Sequence, residues 1–443
     1  MAWYQTGPLS SNTSELKRLF KDKLVTTKEA AEHIKSGDNV VSSMGAGEPT
    51  LLLDAITERK HELRDVRIHQ MLPLAEPKYM QKGMERHFRH VSWFNSAISR
   101  PGVKAGQSGI MMGYLHEYPR FFSESLPVNV FIACVSPMDR HGFFSFGVSV
   151  NFTMAAAQKA DIVILSVNNN MPRTHGSGHI HISQVDLIIE DNSPLPEASS
   201  DLVTEIDIKV AQEIATYIND GDTLALGVTA IPQSLAYSLH DKKELGVHTE
   251  ILTDAVVKLV DAGVITNQNK ILHPGKIICT SAIGTKQLYD FMDDNPMIEM
   301  RPVSFTNDPY IIAKNENITA VNGASKVDLL GQCTAEPIGP KQLCGTGGQV
   351  DFARGVAMAR NGKFFMTLRS TNDKKQSNIV PQLEKGTVTT ISRNDVDFVA
   401  TEYGIVKLKG KTVRERVEAL ISIAHPDYRY GLSEAAKKLG YTR

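Results

Sequence analysis

The chain has 443 residues, 42% hydrophobic and 22% charged, which suits two folded domains at roughly 100–200 residues each and excludes a disordered polymer. Its 48 lysines and arginines balance 49 acids, which excludes a general electrostatic pull toward nucleic acid or an anionic membrane, so any phosphate site has to be local. The four cysteines, Cys134, Cys279, Cys333 and Cys344, form no C-x-x-C pair for zinc or redox work and read as buried thiols of a reducing compartment.

The first 25 residues lack the apolar run of a signal peptide, and no stretch of about 18 apolar residues suits a membrane span. The expected location is the cytoplasm. Thr26 and Glu29 have the spacing of a capping box and predict a helix that ends at IKSGD (34–38). The strand NVVSSM, the glycine loop GAGEP and the apolar run LLLDAI follow. VNVFIACV (128–135) and ADIVILSV (160–167) are continuous apolar runs, the pattern of strands in a sheet covered on both faces. RTHGSGHIHIS (173–183) brings together His175, His179 and His181; no acid or cysteine stands at ligand spacing, so no metal is expected there. DNSPLPEASS (191–200) is polar and proline-bearing and reads as a linker.

The same plan then starts again about 184 residues further on. Thr204 and Asp207 open a helix that ends at INDGD (218–222), followed by the strand TLALG, the turn VTAIP and the run QSLAYSL. Helix, Gly-Asp turn, buried strand, tight loop and helix begin an open parallel α/β layer, so two related layers are expected, in residues 1–195 and 196–443. LGVHTEILTDAVVKLVDAG (245–263) predicts a short strand passing into a helix capped at Gly263. KIICTSAI (276–283) and FFMTLR (364–369) predict further strands. In the last segment Thr412 and Glu415 form a third capping box. Val413, Val417, Leu420 and Ala424 are placed on one packed face, with Pro426 ending the helix and Arg414 and Arg416 in solvent.

Ligands of open α/β sheets bind at the carboxyl ends of strands, and three segments qualify. GVTAIP (227–232) offers successive N–H groups near a helix start, suited to an anion or a developing oxyanion, or to a plain strand-to-helix turn. Glu250 stands at the strand-to-helix junction of LGVHTE; spacing alone favours a solvated strand residue over a functional one. CGTGGQVDFARG (344–355) holds four glycines and lets a ligand or another backbone approach closely. Neither this run nor GAGEPT completes a dinucleotide fingerprint, and G-x-S-x-G, G-x-x-x-x-G-K-[ST] and H-E-x-x-H do not occur.

TEYGIVKLKGKTVRERVEALISIAHPDYR (401–429) closely resembles the carboxyl-terminal signature of the acetyl-CoA hydrolase/transferase family, and in particular of the 4-hydroxybutyrate and butyrate CoA-transferases. LGVHTEILTDAVV, GTGGQVDFARG, VNNNMPRTHG and HIHIS are similar to other motifs of that family. The resemblance spans about residues 23–430. It implies two open, mainly parallel α/β domains of related topology with the active site between them. It also implies that Glu250 is a nucleophile, and that Ala225, Leu226, Gly227, Val228 and Thr229 with Gly347 and Gly348 line the coenzyme A site and supply oxyanion N–H groups. Lys375 matches a CoA-contacting lysine more loosely, with Lys374 beside it, and Met44 is a candidate pocket wall. Relatives often have glycine at Thr229 and SDG at Thr253-Asp254-Ala255, differences that bear on the pocket.

The reaction so implied is ping-pong transfer of CoA between a short-chain acyl-CoA and a carboxylate such as acetate, butyrate or 4-hydroxybutyrate, through a glutamyl-CoA thioester. Acyl-CoA and the acid are substrates, and no tightly bound cofactor or metal is required. A homodimer or homotetramer is expected, with neither nucleic acid nor membrane as partner. An acetyl-CoA hydrolase, an itaconate- or succinate-type transferase and a non-catalytic CoA-binding protein are the alternatives.

Overall fold

The computed structural model of the protein describes residues 13–198, 203–338, 341–342 and 344–443. The first 12 residues and the last two of the 191–200 linker lie outside them. The chain is built on two parallel sheets. The first takes β1 (Asn39–Ser42), β2 (Val66–Met71), β3 (Phe88–Phe94), β4 (Ser108–Ile110), β5 (Val128–Val135), β6 (Ala160–Val167) and, after β7 (His175–Gly176) has left it, β8 (Leu187–Glu190). Their order is β8-β6-β5-β1-β2-β3-β4, every pair parallel.

The second sheet takes β9 (Thr223–Leu226) and β10 (Gly246–Val247). After β11 (Ile277–Cys279) and β12 (Ile298–Met300), which lie apart from it, it continues with β13 (Ile318–Gly323), β14 (Lys363–Thr367), β15 (Phe398–Thr401) and β16 (Gly404–Lys407). Its order is β10-β9-β13-β14-β15-β16, antiparallel only at the last pair.

The two orders superpose. The run β2-β1-β5-β6-β8 corresponds to β10-β9-β13-β14-β15. Beyond β2 the first sheet goes on to β3 and β4, while beyond β10 the second continues across a single bridge, His248 to Ile278, into β11 and β12. Strand β7, from the first half of the chain, completes that second edge by pairing with β12. The duplication expected from the sequence is therefore present in the topology, as is the α/β class.

Burial explains why these strands lack polar alternation. In the first sheet Val40, Val130, Ile132 and Ile164 pack on one face with Ala30, Leu52, Leu53 and Ile56, from or beside α1 (Thr27–Glu32) and α2 (Thr50–Glu58). Val41, Phe131, Ala133 and Leu165 point to the other face. Adjacent residues thus serve opposite faces, both covered. In the second sheet Ile318, Ala320, Phe364, Met366 and Val399 face one cluster, whereas Leu224, Leu226, Val321 and Phe365 join the same core as the inner face of the first sheet. The halves share one continuous apolar interior.

All three capping boxes form, at Thr26–Glu29, Thr204–Asp207 and Thr412–Glu415. The second opens α3 (Glu205–Ala215); α4 (Ala230–Leu235), α5 (Asp254–Asp261), α6 (Val303–Thr306), α7 (Gln349–Met358), α8 (Val413–Ser422) and α9 (Pro426–Lys438) follow. Three expectations are corrected. KIICTSAI is broken after Cys279, because the N–H groups of Thr280 and Ser281 both turn to the carbonyl of Glu250. Pro426 opens α9 at its first turn, where its missing N–H costs nothing, and α8 has already ended at Ser422. On α8, Val417 and Leu420 are buried, with Ala424 just beyond, but Val413 is exposed, and Arg416 donates to the carbonyls of Leu330 and Arg393 instead of facing water.

Candidate active site

Glu250 lies where the second sheet is interrupted. The ladder of β10 with β9 stops at Val247. His248 is fully buried, sends its N–H to Leu224 and contacts the Thr306 carbonyl through Nε2 at 2.8 Å. Burial keeps this imidazole neutral, with its pKa lowered to about 3. Thr249 Oγ1 bonds both the N–H and the carbonyl of Leu226 at 3.2 Å, fastening the segment to the end of β9. The Glu250 carbonyl is held from the other side by Thr280 and Ser281 at 3.1 Å each. Main chain is thus pinned on both sides of one acid, and its side chain is free to enter the cleft.

The carboxylate meets two partners. Asn307, buried just past the end of α6, donates from Nδ2 to Glu250 Oε2 at 3.0 Å. Gly348, at the start of α7, comes so close that a Cβ on it would stand 1.9 Å from Glu250 Oε2 and 2.1 Å from Asn307 Nδ2. No other residue type fits there. Gly347 before it has φ +57°, and a side chain would meet the Phe94 ring at 3.1 Å.

Burial raises the Glu250 pKa to about 7; the Asn307 hydrogen bond opposes this, the charge of Asp351 adds to it, and the Gly348 backbone lowers it. Asp351, buried in the first turn of α7, accepts from the backbone N–H of His116 at 3.1 Å and pairs with its Nδ1 at 2.8 Å. Burial raises its pKa and the bonds from His116 hold it down.

Glu250 opens into a cavity of about 1080 Å³ between the halves. The ends of β2 and β3 supply Met71 and Phe94 and the loop after β2 supplies Leu72, Pro73 and Leu74, an apolar wall from the first half. The ends of β9, β13 and β14 supply the opposite wall, and the glycine loop lies across it. Both sheets therefore present their carboxyl ends to one crevice, where ligands of open α/β sheets bind. Cations in the lining are Arg100, Lys258 and Arg369. Arg369 is taken by Asp207 in a two-point ion pair of 2.9 and 2.6 Å, and Lys258 donates to the Tyr237 hydroxyl at 2.8 Å at the exposed side.

Of the residues singled out in the sequence, Glu250, Ala225, Leu226, Gly227, Val228, Thr229, Gly347 and Gly348 all line this cavity. Their N–H groups are not equivalent. Leu226 gives its proton to Thr249 and Gly227 to the Val321 carbonyl, while Val228 and Thr229 have no protein acceptor among the described residues. Met44 does not line it; it is a buried core residue whose N–H goes to Ser149 Oγ at 3.1 Å. Lys375 does not either. It sits with Lys374 on an exposed turn, in left-handed conformation, its carbonyl accepting from Tyr428 at 2.5 Å. The histidine run is spread out, with His175 against Asp294 and His181 against Ser183. Among the described residues no group of three or more metal-ligating side chains converges, and no helix is long and apolar enough to cross a membrane.

Asn307, Asp351 and His116 escaped the sequence reading. Asp351 lies inside the glycine-rich run and was open to suspicion; Asn307 and His116 are 57 and 235 positions from the residues they serve, with no local signal.

Comparison with known proteins fits this geometry. The acetyl-CoA hydrolase/transferase N-terminal domain matches residues 10–196 and the C-terminal domain of the same name residues 284–436. A 4-hydroxybutyrate coenzyme A transferase of Clostridium kluyveri is 43% identical, over 96% of this chain and 99% of its own. A succinyl-CoA:cyclohexane-1-carboxylate CoA transferase of Geobacter metallireducens is 44% identical, over 95% and 96%. Among solved structures, RipA from Yersinia pestis superposes with a TM-score of 0.92 at 34% identity, covering 96% of this chain and all of that one.

Proposed function

The chain belongs to the acetyl-CoA hydrolase/transferase family and is a CoA-transferase, and from that premise we propose that it moves CoA between a short-chain acyl-CoA and a free carboxylate through a covalent thioester on Glu250. The observation that carries the reading is the carboxylate of Glu250, held on one oxygen by Asn307 and approached by Gly348, at the point where the carboxyl ends of both sheets meet.

With Oε2 engaged by Asn307, Oε1 is the attacking atom. Its lone pair adds to the thioester carbonyl, the C–S bond breaks, and CoA leaves as thiolate from an acyl-glutamyl anhydride. The thiolate then adds to the glutamyl carbonyl, the anhydride C–O bond breaks, and the first acid departs, leaving Glu250 as a CoA thioester. An incoming carboxylate runs both steps in reverse. In the second step Oε2 is the oxygen on which charge develops, so the Asn307 donor already on it is preorganised, worth roughly 10²–10³ in rate. For the first step the uncommitted N–H groups of Val228 and Thr229 suit the substrate oxyanion. Proximity in the closed crevice supplies much of what an ordinary carboxylate lacks as a nucleophile.

The apolar wall from Met71 to Leu74 and Phe94 suits a short aliphatic acid, such as the butyrate or 4-hydroxybutyrate handled by named relatives. Arg100 and Lys258 are the cations suited to CoA phosphates, in place of Lys374 and Lys375. We further propose division into residues 1–195 and 196–443, a cytoplasmic location and a homodimer or homotetramer.

Incubation with acyl-CoA followed by mass spectrometry of the Glu250 peptide tests the mechanism. A hydroxylamine-sensitive adduct on Glu250, absent in E250Q, is expected; an adduct elsewhere overturns it. Release of free acid at an equal rate with and without an acceptor carboxylate would make the protein a hydrolase.

A further inference from the structure

The two groups that touch Glu250 Oε2 come from different elements, Asn307 after α6 and Gly348 before α7, and neither element belongs to the strand that carries Glu250. Something has to hold both in register with it. The segment 113–117 of the first half does so from across the cleft. Thr346 Oγ1 donates to the Gly113 carbonyl at 3.1 Å, Arg354 bonds the Tyr114 hydroxyl at 2.9 Å and lies over its ring, and His116 closes on Asp351 with backbone and ring together. The short turn that carries His116, Leu115–Glu117, also packs on α6.

Asp351 is 1% exposed, and both of its oxygens are spent on His116. A carboxylate in the first turn of a helix ordinarily serves that helix; this one reaches to the other half of the chain. We propose that His116 and Asp351 are a positioning pair that clamps the start of α7 and the end of α6 onto Glu250 and sets the charge the nucleophile experiences. This rests on Glu250 being the nucleophile.

The pair acts on charge as well as on place. Asp351 bears on Glu250 as a nearby negative charge, and His116, when protonated, lies against that charge and lowers the Asp351 pKa; burial pulls the His116 pKa down, but the bond to and charge of Asp351, with Glu117 and Asp308, leave it raised. The other ionisable groups around the pair are Arg354 and Tyr118, and His248 beyond is neutral. The two members therefore have opposite signs at Glu250. Removing the acid favours ionisation of Glu250, and removing the imidazolium disfavours it.

Because transfer needs ionised Glu250, the acidic limb of its pH–rate profile reports that balance. In D351N the limb moves to lower pH by about half a unit, and in H116Q it moves up by a similar amount. In both, kcat falls about 10- to 100-fold, as for loss of a hydrogen bond to a charged group. A purely structural role lowers kcat in both and leaves the limb in place, and that result overturns the proposal. Should D351N fail to fold, the upward shift in H116Q decides alone. E250Q separates the two levels. If it transfers CoA normally, the catalytic assignment falls; if it is inactive while both limbs stay put, only the clamp does.

Discussion

Register places Met71 of the first half and Glu250 of the second at the same point of the duplicated plan. Asn39 pairs with Arg67 as Thr223 pairs with Gly246, so Ile68, His69, Gln70 and Met71 correspond to Val247, His248, Thr249 and Glu250. The histidines match in more than name. Both are buried, and burial lowers their pKa values to about 4 and about 3. What differs is the strand. β2 keeps its ladder with β3 as far as Met71, with one irregularity after Gln70, and the side chain packs at 1% exposure. β10 loses its ladder after Val247, and the freed chain delivers an acid. An intact edge makes a core residue of this position and a broken one makes a reactive group, with the same histidine anchor behind both.

The strongest test of that contrast moves the acid. E250Q is expected to lose more than about 10³-fold in thioester exchange, and M71E added to it to restore nothing, because no Asn307 or Gly348 stands over Met71. Restored exchange would mean that the broken edge is unimportant. A second contrast sets one glycine of each half side by side. G348A pushes a methyl into Glu250 and Asn307 and is expected to lower kcat about 10²-fold as well as to cost about 1–3 kcal/mol of stability. G47A, whose Cβ would stand 2.6 Å from Ser149 and Ser43, is expected to cost about 1–3 kcal/mol in urea unfolding while adduct formation at Glu250 survives.

M71A, a cavity mutation, is expected to cost about 2–5 kcal/mol of stability and, since Met71 also lines the crevice, to raise KM for the acid while lowering kcat far less than E250Q does. The finest comparison is by pH. Glu48, buried against Gln70, and Glu250 are both raised by burial, to about 8 and about 7. A raised carboxyl contributes stability that is complete below its unfolded pKa of about 4.5 and is lost as pH climbs through the folded value. Thermal melts should therefore fall between pH about 4.5 and 8, with E48Q removing the fall above pH about 7 and E48Q and E250Q each reducing the slope below it. An unchanged slope in E48Q would show that Glu48 is already ionised at neutral pH.

Local signals carried most of the scaffold. The capping boxes at Thr26, Thr204 and Thr412 and the apolar runs of β5 and β6 depend on neighbours in the chain, and each appears where spacing placed it. KIICTSAI is split into two short strands for the opposite reason, since the distant carbonyl of Glu250 takes the N–H groups of Thr280 and Ser281. The lining followed the same divide. Residues 225–229 and 347–348 stood out through glycine and family likeness, whereas Lys375 shared the likeness and lies on an outer turn. Asn307 and His116 are defined only by what folding brings to them.

Strand β7 crosses from the first half of the chain to finish the edge built from β11 and β12. Cutting the polypeptide near the linker would thus not yield two self-sufficient pieces, because the carboxyl-terminal fragment would keep an open β12 edge and the amino-terminal one a strand with nothing to join. Complementation should work when the two fragments are produced together and fail when they are produced apart and then mixed, and a fission of this gene would leave two products obliged to find each other.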